Sequence, residues 1–287
     1  MNSGLAHLEV PDAVGAGVIR ALVQYPTESP AAGVHIGPYR FDATLDAPMA
    51  PGVHPVCLIS HGGGGSHLLY RSIATHLSEQ GVITISVEHP GDNRQDRSLT
   101  HTDEAARQRP GHMVRVLDGL LGDPRFNRSV DQDDISIVGH SMGGFTALAL
   151  LGGQPWSRTG VPLPVQPDLR LRAAVLLAPA TDWFRAPGAL HGVEAPLLVV
   201  IADQDDVTPR HAIEHTLALR PHAERTQWHV VTGAGHFAFL APFPPELTRP
   251  DFPPSQDPPG FDRARFHLEL PRLIEDFLKR TPRTTSV

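Results

Sequence analysis

Ile135-Ser136-Ile137-Val138 runs without a break into Gly139-His140-Ser141-Met142-Gly143-Gly144, and an apolar stretch from Phe145 to Leu151 follows. Short apolar residues, then G-x-S-x-G, then a run of good helix formers predict a strand, a sharp turn and a helix. In such a turn the residues two before and two after the serine crowd each other, so neither tolerates a Cβ. The turn lifts the hydroxyl clear of the backbone and aims a helix N-terminus at it. Ser141 is therefore the candidate nucleophile. The N–H of Met142 is a candidate donor to a developing oxyanion.

Upstream, the apolar run 56–60 ends in His61-Gly62-Gly63-Gly64-Gly65. Glycines after an early strand let backbone amides approach a substrate carbonyl, so a second oxyanion donor is expected at Gly63, with Gly64 next. A phosphate cradle would need a lysine here, and Ser66-His67 follow instead.

Downstream, the apolar run 197–201 leads into Ala202-Asp203-Gln204-Asp205-Asp206-Val207-Thr208-Pro209. Aspartates at the carboxyl end of a strand, after the serine in chain order, are candidates for the acid of a Ser-Asp-His relay. The spacing to Pro209 selects Asp205, leaving Asp203 and Asp206 as capping or solvated carboxylates. The chain has 17 histidines, so a single one carries little weight. His236 is set apart by lying after the run 228–231 in the small-residue turn Gly233-Ala234-Gly235-His236-Phe237. Four aromatic residues near predicted strand ends, Tyr70, Trp183, Phe237 and Phe239, are candidates for the walls of a substrate pocket. Each fits core packing as well.

Further apolar runs at 18–25, 82–87 and 173–177 are continuous rather than alternating, as expected of strands buried on both faces of a mainly parallel sheet. Helical spacing appears in Leu69, Ile73 and Leu77, closed by Gly81. It recurs in Val114, Leu117 and Leu121 after Pro110, in Ile213 and Leu217, and in Phe266, Leu270, Ile274 and Phe277, with a kink expected at Pro271. Segments 152–167, 181–195 and 241–260 are rich in Pro and Gly. They read as rim or lid loops over the site, or as solvent-facing connectors. No repeat or linker divides the chain, so residues 1–287 are expected to form one α/β domain.

Composition narrows the function classes. Hydrophobic residues make up 40% of the chain, enough for a large core, and the net charge of -7 leaves no footprint for nucleic acid. Lys279 is the sole lysine and lies far from every motif, which removes a Schiff-base mechanism. Cys57, the sole cysteine, sits in the apolar run Val56-Cys57-Leu58-Ile59, where a buried, inert thiol is expected. The first residues lack the basic stretch of a signal peptide, and nowhere do about eighteen apolar residues run together. The expectation is a soluble cytoplasmic protein acting on a small molecule without metal or organic cofactor. Nothing in the sequence specifies an oligomeric state.

Taken with several further motifs, these pieces resemble the dienelactone-hydrolase-like serine hydrolases of bacteria, relatives of the platelet-activating-factor acetylhydrolases. The likeness is carried by Tyr25-Pro26, Gly37-Pro38-Tyr39, Ser60-His61-Gly62, Glu88-His89-Pro90-Gly91-Asp92-Asn93, the Ser141 motif, Gly235-His236-Phe237, Asp262-Arg263 and Phe266-His267. The resemblance implies the α/β-hydrolase fold, a mostly parallel central sheet with helices on both faces. It also implies hydrolysis of small or short-acyl carboxylic esters by a Ser-His-Asp triad, through an acyl-enzyme on Ser141. Amide, thioester, lactone or perhydrolase chemistry would use the same residues. Two positions depart from the pattern. Dienelactone hydrolases proper carry a cysteine where this chain has Ser141. The eukaryotic acetylhydrolases take their acid from a place that here reads Leu177-Ala178-Pro179, with Asp182 a little further on as the reserve acid.

Two readings of other classes stand beside this one. His211-Ala212-Ile213-Glu214-His215 fits the zinc-peptidase pattern H-x-x-E-H. A catalytically silent relative acting as a binding module is the other.

Overall fold

Along the central strands, alternate side chains enter two separate apolar layers. In β6 (His54–Ser60) Val56 and Leu58 face one layer, and Cys57 and Ile59 the other. In β10 (Leu197–Ala202) Leu197, Val199 and Ile201 face the first, and Leu198, Val200 and Ala202 the second. A strand buried on both faces needs apolar residues at every position, which is why these runs are continuous in sequence. Each Leu- or Val-sized side chain removed from water here contributes about 1.5–3 kcal/mol.

The structure, a computed structural model, describes residues 1–12, 14 and 17–283. Residues 13, 15, 16 and 284–287 of the expected 1–287 unit lie outside them. Eleven strands are described: β1 (Asn2–Pro11), β2 (Val18–Thr27), β3 (Val34–Ile36), β4 (Tyr39–Phe41), β5 (Thr44–Leu45), β6, β7 (Ile83–Val87), β8 (Val130–His140), β9 (Leu171–Leu177), β10 and β11 (Thr226–Val231). Nine form one sheet in the order β11-β10-β9-β8-β6-β7-β2-β1-β5, and β3 and β4 pair separately. The run from β7 to β11 is parallel throughout, and β2 joins β7 in antiparallel register. Helices α2 (Asp103–Gly122) and α3 (Met142–Leu150) cover one face; α1 (Arg71–Glu79) and α5 (Arg263–Arg280) cover the other. Helix α4 (Arg210–Leu217) buries Ile213 and Leu217 in the first layer.

All seven expected strands are present; β7 starts one residue later than expected, β8 is longer by five residues at its start and two at its end, and the other five are longer by one or two residues. Two expectations are corrected. The second helix begins at Asp103, not after Pro110. The Thr102 hydroxyl caps it by accepting the Ala105 N–H at 3.1 Å, and Asp103 and Glu104 suit its positive end. Burial of Ala105, Ala106 and Arg109 outweighs the backbone hydrogen bond that Pro110 deletes. The first ten-residue strand, β1, lies where the sequence suggested no element. Its polar Asn2 and Ser3 hide the pattern, and ten register pairs with β2 supply the order.

Candidate active site

The turn between β8 and α3 has the geometry that its glycines suggest. Ser141 sits at φ 53° and ψ −117°, a strained region for a residue with a Cβ. The carbonyl of Ser141 accepts N–H bonds from Gly144 at 2.8 Å and Ala180 at 2.9 Å, while its own N–H donates to Leu177 O at 3.0 Å. A Cβ on Gly139 would lie 2.1 Å from Gly143 O, and one on Gly143 only 1.9 Å from Ser60 O. The crowding between positions 139 and 143 is therefore real, and β6 adds to it from the side.

His236 opens a short 3-10 turn, His236–Phe239, beyond β11. Its Nδ1–H donates to Asp205 Oδ2 at 2.7 Å, and both side chains are buried. Asp205 follows β10 and also accepts the N–H groups of Val207 and Thr208 at 2.8 Å each, and the Thr208 hydroxyl at 2.8 Å. Burial alone would raise the Asp205 carboxyl. The hydrogen bond and charge of His236, with those from Thr208, outweigh it and hold the group below its ordinary range. The reserve acid Asp182 is largely exposed and pairs with Arg185 at 2.6 Å. Asp203 accepts the Gly233 N–H at 2.7 Å, a loop-fixing role.

The glycine loop after β6 lies against the serine turn. A Cβ on Gly62 would be 3.3 Å from Ser141 Cβ, and one on Gly63 would be 3.4 Å from Met142 Cγ. The Met142 N–H is the first of α3 and has no partner within its own helix. The Gly64 N–H, the second choice for an oxyanion donor, is already committed to Asp92 Oδ1 at 2.7 Å, which removes it. No hydrogen bond engages the Gly63 N–H among the described residues.

Two cavities open on Ser141. The first, of about 380 Å³, is lined by Gly62 to Gly65, Tyr70, Arg94, Arg97, His140, His236, Phe237, Leu240, Phe252 and Pro254. The second, of about 390 Å³, lies on the Met142 side and includes Trp156, Arg158, Thr181, Trp183, Arg185 and Thr208. Of the four aromatic candidates, Tyr70 and Phe237 line the first cavity and Trp183 the second. Phe239 is corrected: it is fully buried in the α1–α5 layer against Phe266, because the 3-10 turn points it inward. The Pro-rich segment 241–260 contributes Phe252 and Pro254 to the first cavity, and 152–167 and 181–195 contribute residues to the second.

Sequence reasoning missed His140. Its Nε2–H donates to the His236 carbonyl at 3.0 Å, and its Nδ1 accepts from the Tyr70 hydroxyl at 2.9 Å. Burial first, and the neighbouring His236 second, push the His140 imidazole down to about 3, so it is neutral. Tyr70 in turn accepts the Gly62 N–H at 3.3 Å. A histidine between two glycines of the motif could have signalled this, had its side chain been expected to point inward.

Of the remaining candidates, His211 borders the second cavity and the others lie away from both. Glu214 pairs with Arg210 at 2.7 Å on the exposed side of α4, and among the described residues no group of three His, Cys, Asp or Glu could hold a metal ion. Cys57 is fully buried, and burial raises its thiol to about 12. No helix among the described residues is long and apolar enough to cross a membrane.

Comparison with known proteins agrees with the architecture. A family profile described as the alpha/beta hydrolase fold matches residues 55–184. The structure is similar to a ferulic acid esterase from Streptomyces cinnamoneus, with a TM-score of 0.75 and 21% identity over 98% of this chain and 90% of that one. It is also similar to a dienelactone hydrolase from Anabaena variabilis, with a TM-score of 0.57 and 16% identity over 96% and 98%. A putative dipeptidyl aminopeptidase IV from Bacteroides ovatus matches with a TM-score of 0.60 and 14% identity, over 98% of this chain but 36% of that one.

Proposed function

We propose that this chain, whose structure has the α/β-hydrolase fold, is a serine hydrolase that cleaves small carboxylic esters through an acyl-enzyme on Ser141. One observation carries the reading. His236, held by the buried Asp205, lines the cavity on which Ser141 also opens, beside a glycine loop with an uncommitted amide.

His236 Nε2 takes the Ser141 proton as Oγ bonds to the ester carbonyl carbon. Asp205 holds the ring with its Nδ1–H inward and stabilises the imidazolium. The carbonyl oxygen becomes an oxyanion held by the N–H groups of Gly63 and Met142. The C–O bond to the alcohol then breaks, and that alcohol leaves with the proton from His236. Water, deprotonated by the same imidazole, attacks the acyl-enzyme and releases the acid and Ser141.

Cavities on both sides of Ser141 give separate room for the acyl and alcohol parts. The esterase among the similar structures supports an ester as substrate; an amide is the second reading, since a putative peptidase is among them as well. The same groups would act on a thioester or lactone. The test is hydrolysis of p-nitrophenyl acetate and butyrate by the wild type and by Ser141→Ala, with fluorophosphonate labelling mapped by mass spectrometry. Turnover and a label at Ser141, both lost in the variant, are expected. Equal background rates in the two proteins would favour the binding-module reading instead.

A further inference from the structure

Beneath the glycine loop lies an ion pair that the proposed chemistry does not use. Arg109 on α2 is fully buried, and Asp92 nearly so. The guanidinium spreads over four acceptors. Nη1 donates to Asp92 Oδ2 at 2.6 Å, Nε to Thr146 Oγ1 at 3.1 Å, and Nη2 to Ser60 Oγ at 3.4 Å and to the His61 carbonyl.

Two of these acceptors pass the connection onward. Asp92 Oδ1 accepts the Gly64 N–H at 2.7 Å, and the Thr146 hydroxyl donates to the Met142 carbonyl at 3.0 Å. Gly62 and Gly63 are thus held between an anchored His61 and an anchored Gly64. One guanidinium supports the loop of one candidate oxyanion donor and the helix turn of the other.

Stability gives little reason for such a pair. Well-packed apolar residues of similar volume usually serve a core as well or better than buried charges. What the arginine fork supplies is direction, because its donors lie in one rigid plane. Oxyanion stabilisation depends on direction: donors must sit about 2.7–3.1 Å from the oxygen.

We propose that Arg109 and Asp92 are positioning residues that set the spacing between the Gly63 and Met142 amides. Their effect on catalysis rests on the serine-hydrolase reading; their hold on the loop does not.

The test uses the full chain carrying both Asp92→Leu and Arg109→Met, since either single change would strand a buried charge. With p-nitrophenyl acetate, kcat falls by about 10²-fold or more while KM shifts much less. Affinity for a trifluoromethyl ketone, which forms a tetrahedral oxyanion on Ser141, falls by the same factor as kcat/KM. Hydrogen exchange speeds up in segment 61–66 and stays slow in β8. Wild-type exchange at 61–66 in the folded variant overturns the proposal whatever the activity, as does wild-type kcat. Should the double variant not fold, Arg109→Lys decides by the same two readouts, since it keeps the charge and loses the fork. If the wild type shows no Ser141-dependent hydrolysis, the function reading fails. Exchange at 61–66 then still decides whether the pair holds the loop.

Discussion

His236 Nδ1 lies 2.7 Å from Asp205 Oδ2, and the two side chains bury each other across the gap between the loops after β10 and β11. The parallel pairing of those strands brings them together, with Ala202 opposite Val231 in register. Residues that follow two neighbouring parallel strands emerge at the same edge of the sheet, as ligand-binding loops do in open α/β folds.

Asp205→Asn keeps the shape of this contact and removes its charge. The amide can present its NH2 to the imidazole and so favour the other tautomer. We expect kcat on a short p-nitrophenyl ester to fall by about 10⁴-fold, with KM changing little. A loss below about tenfold would remove Asp205 from the relay.

Five histidines are buried and lowered chiefly by burial: His61 and His140 to about 3, His112 and His267 to about 4, and His89 well below its ordinary value. In the unfolded chain they titrate near about 6.5, so between that value and their folded values the unfolded state binds more protons. Stability therefore rises with pH in this window and is lost as pH falls below about 6.5. Thermal melts from pH 7 to pH 4 should show Tm dropping steadily. His267→Gln, which can still donate to Ala238 O, should flatten the slope; an unchanged slope would exclude His267 from it.

Phe237 and Phe239 stand two residues apart and do different things. Phe239→Ala should cost about 3–5 kcal/mol of stability by opening a core cavity. Phe237→Ala should leave Tm nearly unchanged and raise KM, because its side chain borders the cavity. Paired urea melts and steady-state kinetics check both.

Gly143→Ala would drive a Cβ into the Ser60 carbonyl. Backbone cannot yield as a flexible side chain does, so the cost should be at least about 1–3 kcal/mol. Soluble protein, if recovered, should be unreactive to fluorophosphonate, since the turn that presents Ser141 would be displaced.

Glu214 of the H-x-x-E-H segment is engaged with Arg210, and that segment lies on α4. Activity should survive chelation by EDTA and the double substitution Glu214→Gln/His215→Ala within about twofold. An equimolar metal whose removal abolishes turnover would reverse the functional reading.

The serine turn was legible from residues 135 to 151 because its cause is local. Backbone sterics between Gly139 and Gly143 operate within five residues, and no distant packing is needed to read them. The positions of Asp205 and His236 in the loops after β10 and β11 were also legible, since each lies within five residues of the end of a strand visible in the sequence. Phe239 was misread because a 3-10 turn has no long periodicity to say which ring faces in. Strand β1 and the start of α2 were missed for a related reason. Pairing with β2 orders the one, and burial of Arg109 and its neighbours carries the other past a proline.

By itself, the chain's order of residues determined where a strained hydroxyl would stand and which loops would meet it, because short-range sterics and strand-length apolar runs are written within a few positions. Only the folded molecule decided which aromatic rings line a cavity, that Gly64 is spent on Asp92, and that Arg109 ties β6 to α3. Those outcomes depend on contacts between residues 17 to 49 positions apart, and such contacts leave no periodic trace in sequence.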